Sequence, residues 1–239
     1  MTRITALLLF FGLALPFAAV QAQDGSFYDQ DALEELMDIR AENIDDLPDV
    51  YYDYYILRHR TDNAVMARNI FYSTIGDGDA QLGKKRSLII ELLNRRLMNE
   101  FEIGDTIVAP TDWNLDFRAY SPFPRYYVGA RDLDKLFIIH KEIQAFAAYE
   151  NGVLTRWGPV NTGAKESPTP NGRYNFNWRE PYRVSSLSPG ADEPWEMYWV
   201  LNFHQDRGIH IHQYAFPTGG PTSHGCVRLI DADARWIYE

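Results

Sequence analysis

Cysteine is nearly missing from this chain: Cys226 is the only one in 239 residues. A lone thiol cannot form an internal disulfide, so it is unused, intermolecular or reactive. Long apolar runs are also missing after the first 22 residues, and no later stretch approaches the length of a membrane-spanning helix. Positive charge is in deficit, with 23 Lys and Arg against 33 Asp and Glu and a net charge of −10. Nucleic acid and anionic lipid both need a cationic face, so neither is expected as a partner. There is no internal repeat, low-complexity tract or heptad run.

What is present starts with an export signal. Arg3 supplies a positive n-region, Ala6 to Val20 is apolar, and Val20-Gln21-Ala22 is a small-x-small cleavage pattern. Cleavage is expected near Ala22, leaving a protein that works outside the cytoplasm. No cysteine stands near the cleavage point, so no lipid is attached there. Hydrophobic residues make up 46% of the chain, enough for a real core.

Two parts follow the signal peptide of residues 1–22. Residues 23–104 read as helical. Asp31 to Met37 is an acidic amphipathic start, and Ile89, Leu93, Leu97 and Phe101 recur every four residues as one apolar stripe. Between these, Tyr51, Tyr52, Tyr54 and Tyr55 form an aromatic cluster. It reads first as packing between helices and second as a platform for sugars. Residues 105–131 read as a connector that includes the extended Thr106–Pro110. From residue 132 to 239 the signal is β. Strands are expected at Leu136–Ile139, Ile143–Tyr149, after the Asn151-Gly152 turn, at Gly172–Phe176, Met197–Phe203 and Gly208–Gln213. Short, closely spaced strands predict an antiparallel sandwich or barrel behind a helical N-terminal region.

The chemistry gathers near the C-terminus. His210 and His212 are two apart on an expected strand and so share a face. A Gly- and Pro-containing loop then returns the chain to Ser223-His224-Gly225-Cys226. A histidine or a nest of backbone N–H groups can stabilise a thiolate at neutral pH. Gly225 can adopt angles that let successive N–H groups converge, and such groups can also hold the oxyanion of a tetrahedral intermediate. Arg228 can clamp a carboxylate by two hydrogen bonds, or brace the loop by pairing with Asp231. Ser223 reads as a hydroxyl that stabilises the turn.

Gly208-Ile209-His210, a gap of twelve residues, and Ser223-His224-Gly225-Cys226-Val227-Arg228-Leu229 together resemble the signature of the L,D-transpeptidase (YkuD-type) catalytic domain. Val160-Asn161-Thr162-Gly163 with Thr169-Pro170-Asn171-Gly172-Arg173-Tyr174 resembles an upstream element of that family. The resemblance implies a mostly β catalytic domain, needing no metal or other cofactor, with Cys226 as nucleophile and His210 as base and acid. The carbonyl of Ile211 would orient the imidazole, and His224, Gly225 and Cys226 would supply oxyanion N–H groups. Arg228, Ser223 and His212 would bind substrate. The match to Gly-Ile-His and the spacing to Ser223 select His210 as the base. Where the family often has glycine after that histidine this chain has Ile211, so His212 stays the competing position.

The implied substrate is a peptidoglycan stem peptide in the periplasm. The thiolate would attack the carbonyl between diaminopimelate and D-alanine, and the thioester would pass to another stem or to a lysine of a cell-wall lipoprotein. Water as acceptor would make the enzyme a carboxypeptidase. The helix expected at Asp231–Tyr238 ends the chain earlier than is usual in the family, so the expectation is either a catalytic domain cut short at its C-terminus or a fold that closes differently. A reading of another class takes His210, His212, His224 and Cys226 as zinc ligands. A third takes the chain as a wall-binding protein without activity.

Overall fold

The computed structural model describes residues 28–114, 116–218 and 220–239; the export signal expected at residues 1–22 lies outside the described residues. The part from residue 132 onward is mostly β, as expected. Strands β3 (Lys135–His140), β4 (Ala145–Glu150) and β5 (Val153–Pro159) form an antiparallel sheet. Strands β6 (Trp178–Val184), β7 (Glu196–His204), β8 (Ile209–Gln213) and β9 (Val227–Leu229) form a second.

The period-two pattern of β4 explains how the layers stack. Phe146 and Ala148 point into a core shared with Leu201 and Phe203 of β7, Ile209 and Ile211 of β8, and Val227 and Leu229 of β9. Ala147 and Tyr149 point the other way, into a core with Trp157, Phe117 and Ile230. Because strand residues alternate faces, β4 is buried on both sides and joins two cores. Helix α1 (Gln30–Asp38) packs Leu33 and Met37 into that second core, with Asp29 capping its first turn at Ala32 N–H. Helix α4 (Asp231–Tyr238) closes the first core with Ala234. It is tied down by a buried ion pair, Arg156 Nε to Asp233 Oδ1 at 2.6 Å.

Several expectations need correction. The segment Gly172–Phe176 is irregular, and the strand starts at Trp178. The expected strand from Ile143 begins two residues later, because Lys141 to Gln144 form a turn with Gln144 at φ 49°. The second sheet is not wholly antiparallel, since β8 and β9 run parallel.

In the N-terminal region, Tyr52, Tyr54 and Tyr55 lie on a strand rather than between helices, and Tyr51 directly precedes it. Strand β1 (Tyr52–Ile56) pairs antiparallel with β2 (Thr106–Pro110), and helices α2 (Ala64–Ile75) and α3 (Ala80–Asn94) pack on one face of the pair. Tyr55 tilts against Phe71 at 4.8 Å, whereas Tyr51 and Tyr54 are 69% and 79% exposed. The four-residue stripe also breaks: α3 ends where Arg95 turns left-handed at φ 54°, so Leu97 and Phe101 lie beyond the helix and reach different cores. Among the described residues no helix is long and apolar enough to cross a membrane.

Candidate active site

Strand β8 builds one wall of the site. Its odd positions, Ile209 and Ile211, enter the core, and its even positions, His210 and His212, share the opposite face. Strand β9 continues the arrangement, with Ile211 opposite Val227 and His212 opposite Arg228. Cys226 immediately precedes β9 and is partly exposed.

The two imidazoles are both nearly buried, at 7% and 4% exposure, but their partners differ. His212 Nδ1 lies 2.7 Å from the carbonyl of Gln213. A carbonyl only accepts, so Nδ1 carries the proton and Nε2 keeps its lone pair. His210 Nδ1 lies 3.1 Å from Asn202 Nδ2. That amide is oriented unambiguously: Nδ2 donates to the Ile209 carbonyl at 3.2 Å, and Oδ1 accepts from Asn177 Nδ2 at 2.8 Å. His210 Nδ1 therefore accepts, and its proton sits on Nε2. The expected contact from the Ile211 carbonyl to an imidazole is replaced by that of Gln213. Ile211 is a mid-sheet residue, paired with Leu201 on one side and Val227 on the other.

Burial pushes both histidines down to about 4, helped at His210 by the Arg183 charge and at His212 by that of Arg228. Burial also raises the Cys226 thiol, against the backbone N–H of His210 and the Arg228 charge, which lower it. Both shifts favour a thiol and neutral imidazoles over a thiolate–imidazolium pair.

The turn carrying Cys226 is braced from behind by residues 161–169. Ala164 N–H donates to the Ser223 carbonyl at 2.8 Å, Ser167 Oγ to that of His224 at 2.8 Å, and Thr169 Oγ1 to that of Gly225 at 2.8 Å. In a planar trans peptide the N–H of the next residue points opposite to the carbonyl. The N–H groups of His224 and Cys226 are thus turned away from the brace, and among the described residues neither meets an acceptor. Gly225 N–H, expected to serve an oxyanion, is instead spent on Ser223 Oγ at 3.1 Å, and Ser223 Oγ donates to the Cys226 carbonyl at 2.6 Å. Gly225 holds φ at 117°, in a region closed to most side chains. Gly163 allows the brace to close, since a Cβ there would lie 2.9 Å from Gly225 Cα.

Arg228 does not pair with Asp231, which accepts from Trp199 Nε1 at 3.0 Å. Its guanidinium lies 3.9 Å from the ring centre of Tyr214. His224 is exposed and stacks on Trp195 at 5.5 Å. Among the described residues no three His, Cys, Asp or Glu side chains gather as a metal-holding group. Asn161, Thr169, Ser167 and Asn202 shape the site, yet none stands out as a functional residue in the sequence. The only signal for the first three was their place in or beside the Val160–Gly163 and Thr169–Tyr174 element.

Residues 134–239 match the family model described as the L,D-transpeptidase catalytic domain, YkuD. This segment is similar to a YkuD domain. Among solved structures the chain is similar to an L,D-transpeptidase from Mycobacterium smegmatis, with 21% identity over 44% of this chain and 53% of that one and a TM-score of 0.40. It is also similar to L,D-transpeptidase 3 from Mycobacterium tuberculosis in complex with a faropenem-derived adduct, with 21% identity over 58% and 71% and a TM-score of 0.39. The match spans 53% of the length of the M. smegmatis protein. A comparison with curated proteins gives no match. The matched segment holds Cys226, both histidines and the brace, while β1, α2, α3 and β2 lie outside it.

Proposed function

We propose that this chain is an exported, cysteine-dependent L,D-transpeptidase acting on peptidoglycan stem peptides in the periplasm, with Cys226 as nucleophile and His212 as base and acid. One observation carries the choice of base: the Gln213 carbonyl holds His212 by Nδ1, leaving Nε2 as a lone pair. His210, the position selected by the Gly-Ile-His match, has its accepting nitrogen already engaged by Asn202. A base needs a vacant lone pair in the ground state.

The reaction then balances without a cofactor. His212 Nε2 takes the Cys226 proton as sulfur attacks the carbonyl of the third stem residue. The oxyanion forms against the N–H groups of His224 and Cys226. Collapse breaks the amide, D-alanine leaves with the proton from His212, and a thioester remains. The amine of another stem, or a lysine of a cell-wall lipoprotein, attacks the thioester and returns the thiol. Water in that role gives a carboxypeptidase.

The test is mass spectrometry of the mature protein incubated with disaccharide-tetrapeptide, alongside Cys226→Ala. Loss of D-alanine with dimer formation, in wild type only, supports transfer. Loss of D-alanine without dimers assigns water or an absent acceptor. Equal turnover by Cys226→Ala ends the cysteine mechanism.

A further inference from the structure

The two edges of the β1–β2 sheet are finished differently. Within the ladder, Thr111 N–H donates to the Tyr51 carbonyl and Leu57 N–H to that of Asp105, each at 2.9 Å. Odd-numbered residues of β1 therefore bond to β2, and even-numbered residues of both strands turn N–H and C=O outward. On β2 that outer edge is closed. Asn94 Oδ1 accepts from Val108 N–H at 2.9 Å, Asn94 Nδ2 donates to the Val108 carbonyl at 2.8 Å, and Pro110 has no N–H to offer. On β1 the outward groups of Tyr52, Tyr54 and Ile56 have no partner among the described residues. No lysine, proline or bulge protects this edge, although edge strands commonly use such devices against pairing. The side chains of Tyr52, Tyr54 and Ile56 are exposed on the face away from α2 and α3. Asp53 points to the helix side and is exposed as well, so the edge is reached from both faces.

The charges around the edge select its occupant. Asp45, Asp46 and Asp49 precede β1, and Asp49 is 87% exposed. Arg58 and Arg60 follow it, both exposed and neither paired with a carboxylate among the described residues. A segment that is acidic before its centre and basic after it complements itself when run antiparallel. We propose that the β1 edge pairs antiparallel with the β1 edge of a second copy of this chain, with Tyr54 on the two-fold axis. The two Tyr54 residues then exchange both backbone hydrogen bonds, and Tyr52 exchanges both with Ile56 of the other copy. Tyr52 and Ile56 also become cross-strand neighbours on the uncovered face. Asp49 comes opposite His59 of the other copy, between its Arg58 and Arg60. A parallel pairing would set like charges side by side. The net charge of −10 on each copy repels at long range, but that repulsion is screened beyond about 8 Å at physiological salt, where the edge contacts are closer than this.

The test is sedimentation velocity of the mature protein over a concentration series, which should show a reversible monomer–dimer equilibrium. Tyr54→Pro removes the central outward N–H and no bond to β2, so it should weaken the dimer about 10-fold or more with the melting curve in place. Asp49→Arg should also weaken it, and adding Arg58→Asp with Arg60→Asp should restore it. That rescue keeps the test decisive if Tyr54→Pro fails to fold, and loss of the exposed Asp49–Arg125 pair cannot produce it. The register is read by oxidation in a Cys226→Ala background. Tyr54→Cys should crosslink two copies, because directly opposed residues lie about 5.5 Å apart, within disulfide reach. Tyr52→Cys, whose counterpart is Ile56, should not. A monomer at every concentration overturns the proposal. So does a dimer indifferent to a folded Tyr54→Pro and to the charge changes, or equal crosslinking at both positions.

Discussion

Acidification should weaken the fold through the two histidines of β8. Both are held down to about 4 by burial, against an ordinary value of 6.5. In the unfolded chain each is free to charge. Between about pH 6.5 and 4 the unfolded state therefore binds more protons, and stability falls as pH is lowered through that window. At pH 5 each unfolded imidazole is almost fully charged and each folded one nearly neutral. The 1.5 pH units below 6.5, at 1.36 kcal/mol per unit, correspond to about 2 kcal/mol for each histidine. Two buried carboxyls oppose this. Burial raises Glu91 and Asp233, which therefore gain stability on protonation. Comparing variants removes that term, because it is common to all of them. Urea unfolding, followed by tryptophan fluorescence at pH 8 and pH 5, should show wild type losing about 2 kcal/mol more over this interval than His210→Asn or His212→Asn. If all three lose the same stability, the imidazoles are not held neutral. A base that must be unprotonated at pH 7 then loses its physical support.

The other predictions concern the site and its supports. His212→Gln should lower kcat/KM for D-alanine release by about 10²- to 10⁴-fold, with His210→Gln falling far less; the reverse order returns the base to His210. Alkylation of Cys226 by iodoacetamide should rise with a midpoint above the ordinary thiol value of about 8.5, because burial raises it; a midpoint near 6 would mean a thiolate–imidazolium pair at rest. Ser223→Ala removes both the acceptor for Gly225 N–H and the donor to the Cys226 carbonyl. With about 1–3 kcal/mol for a buried group left unmatched, Tm should fall by several degrees and activity with it. An unchanged melting curve would show that the turn does not depend on this hydroxyl. Asp233→Ala strands the buried Arg156 and should cost about 3–5 kcal/mol in urea unfolding; a loss below about 1 kcal/mol would mean that water reaches Arg156.

Local pattern was legible where the physics is local. The β4–β5 turn is Asn151-Gly152 with both residues at positive φ, 50° and 79°, and those two residue types tolerate that region. Helix α1 shows its apolar face and its Asp29 cap in consecutive residues. Strand β6 was missed because residues 172–176 alternate as well as 178–184 do, and only pairing with β7 decides between them. Strand β9 has three residues, and its parallel partner β8 lies across a loop. The tyrosines of β1 were misplaced for the same reason, since their partner strand is about fifty residues away.

The same division of local from distant contacts runs through the site. Spacing alone brings His210 and His212 to one face, but it cannot say which ring has a vacant lone pair. That depends on Asn202 one strand over, which occupies His210, and on the Gln213 carbonyl, which leaves Nε2 of His212 vacant. Likewise Ser-His-Gly-Cys announces a nest of N–H groups, yet which of them can meet an oxyanion is decided elsewhere. Ser167 and Thr169 hold two carbonyls of the turn from over fifty residues away, and Ser223 consumes the middle N–H. A change at Thr169 should therefore act on the oxyanion side of the site without touching sulfur or imidazole. It would slow acylation while leaving the pH dependence of Cys226 alkylation in place, a separation that loss of the base would not produce.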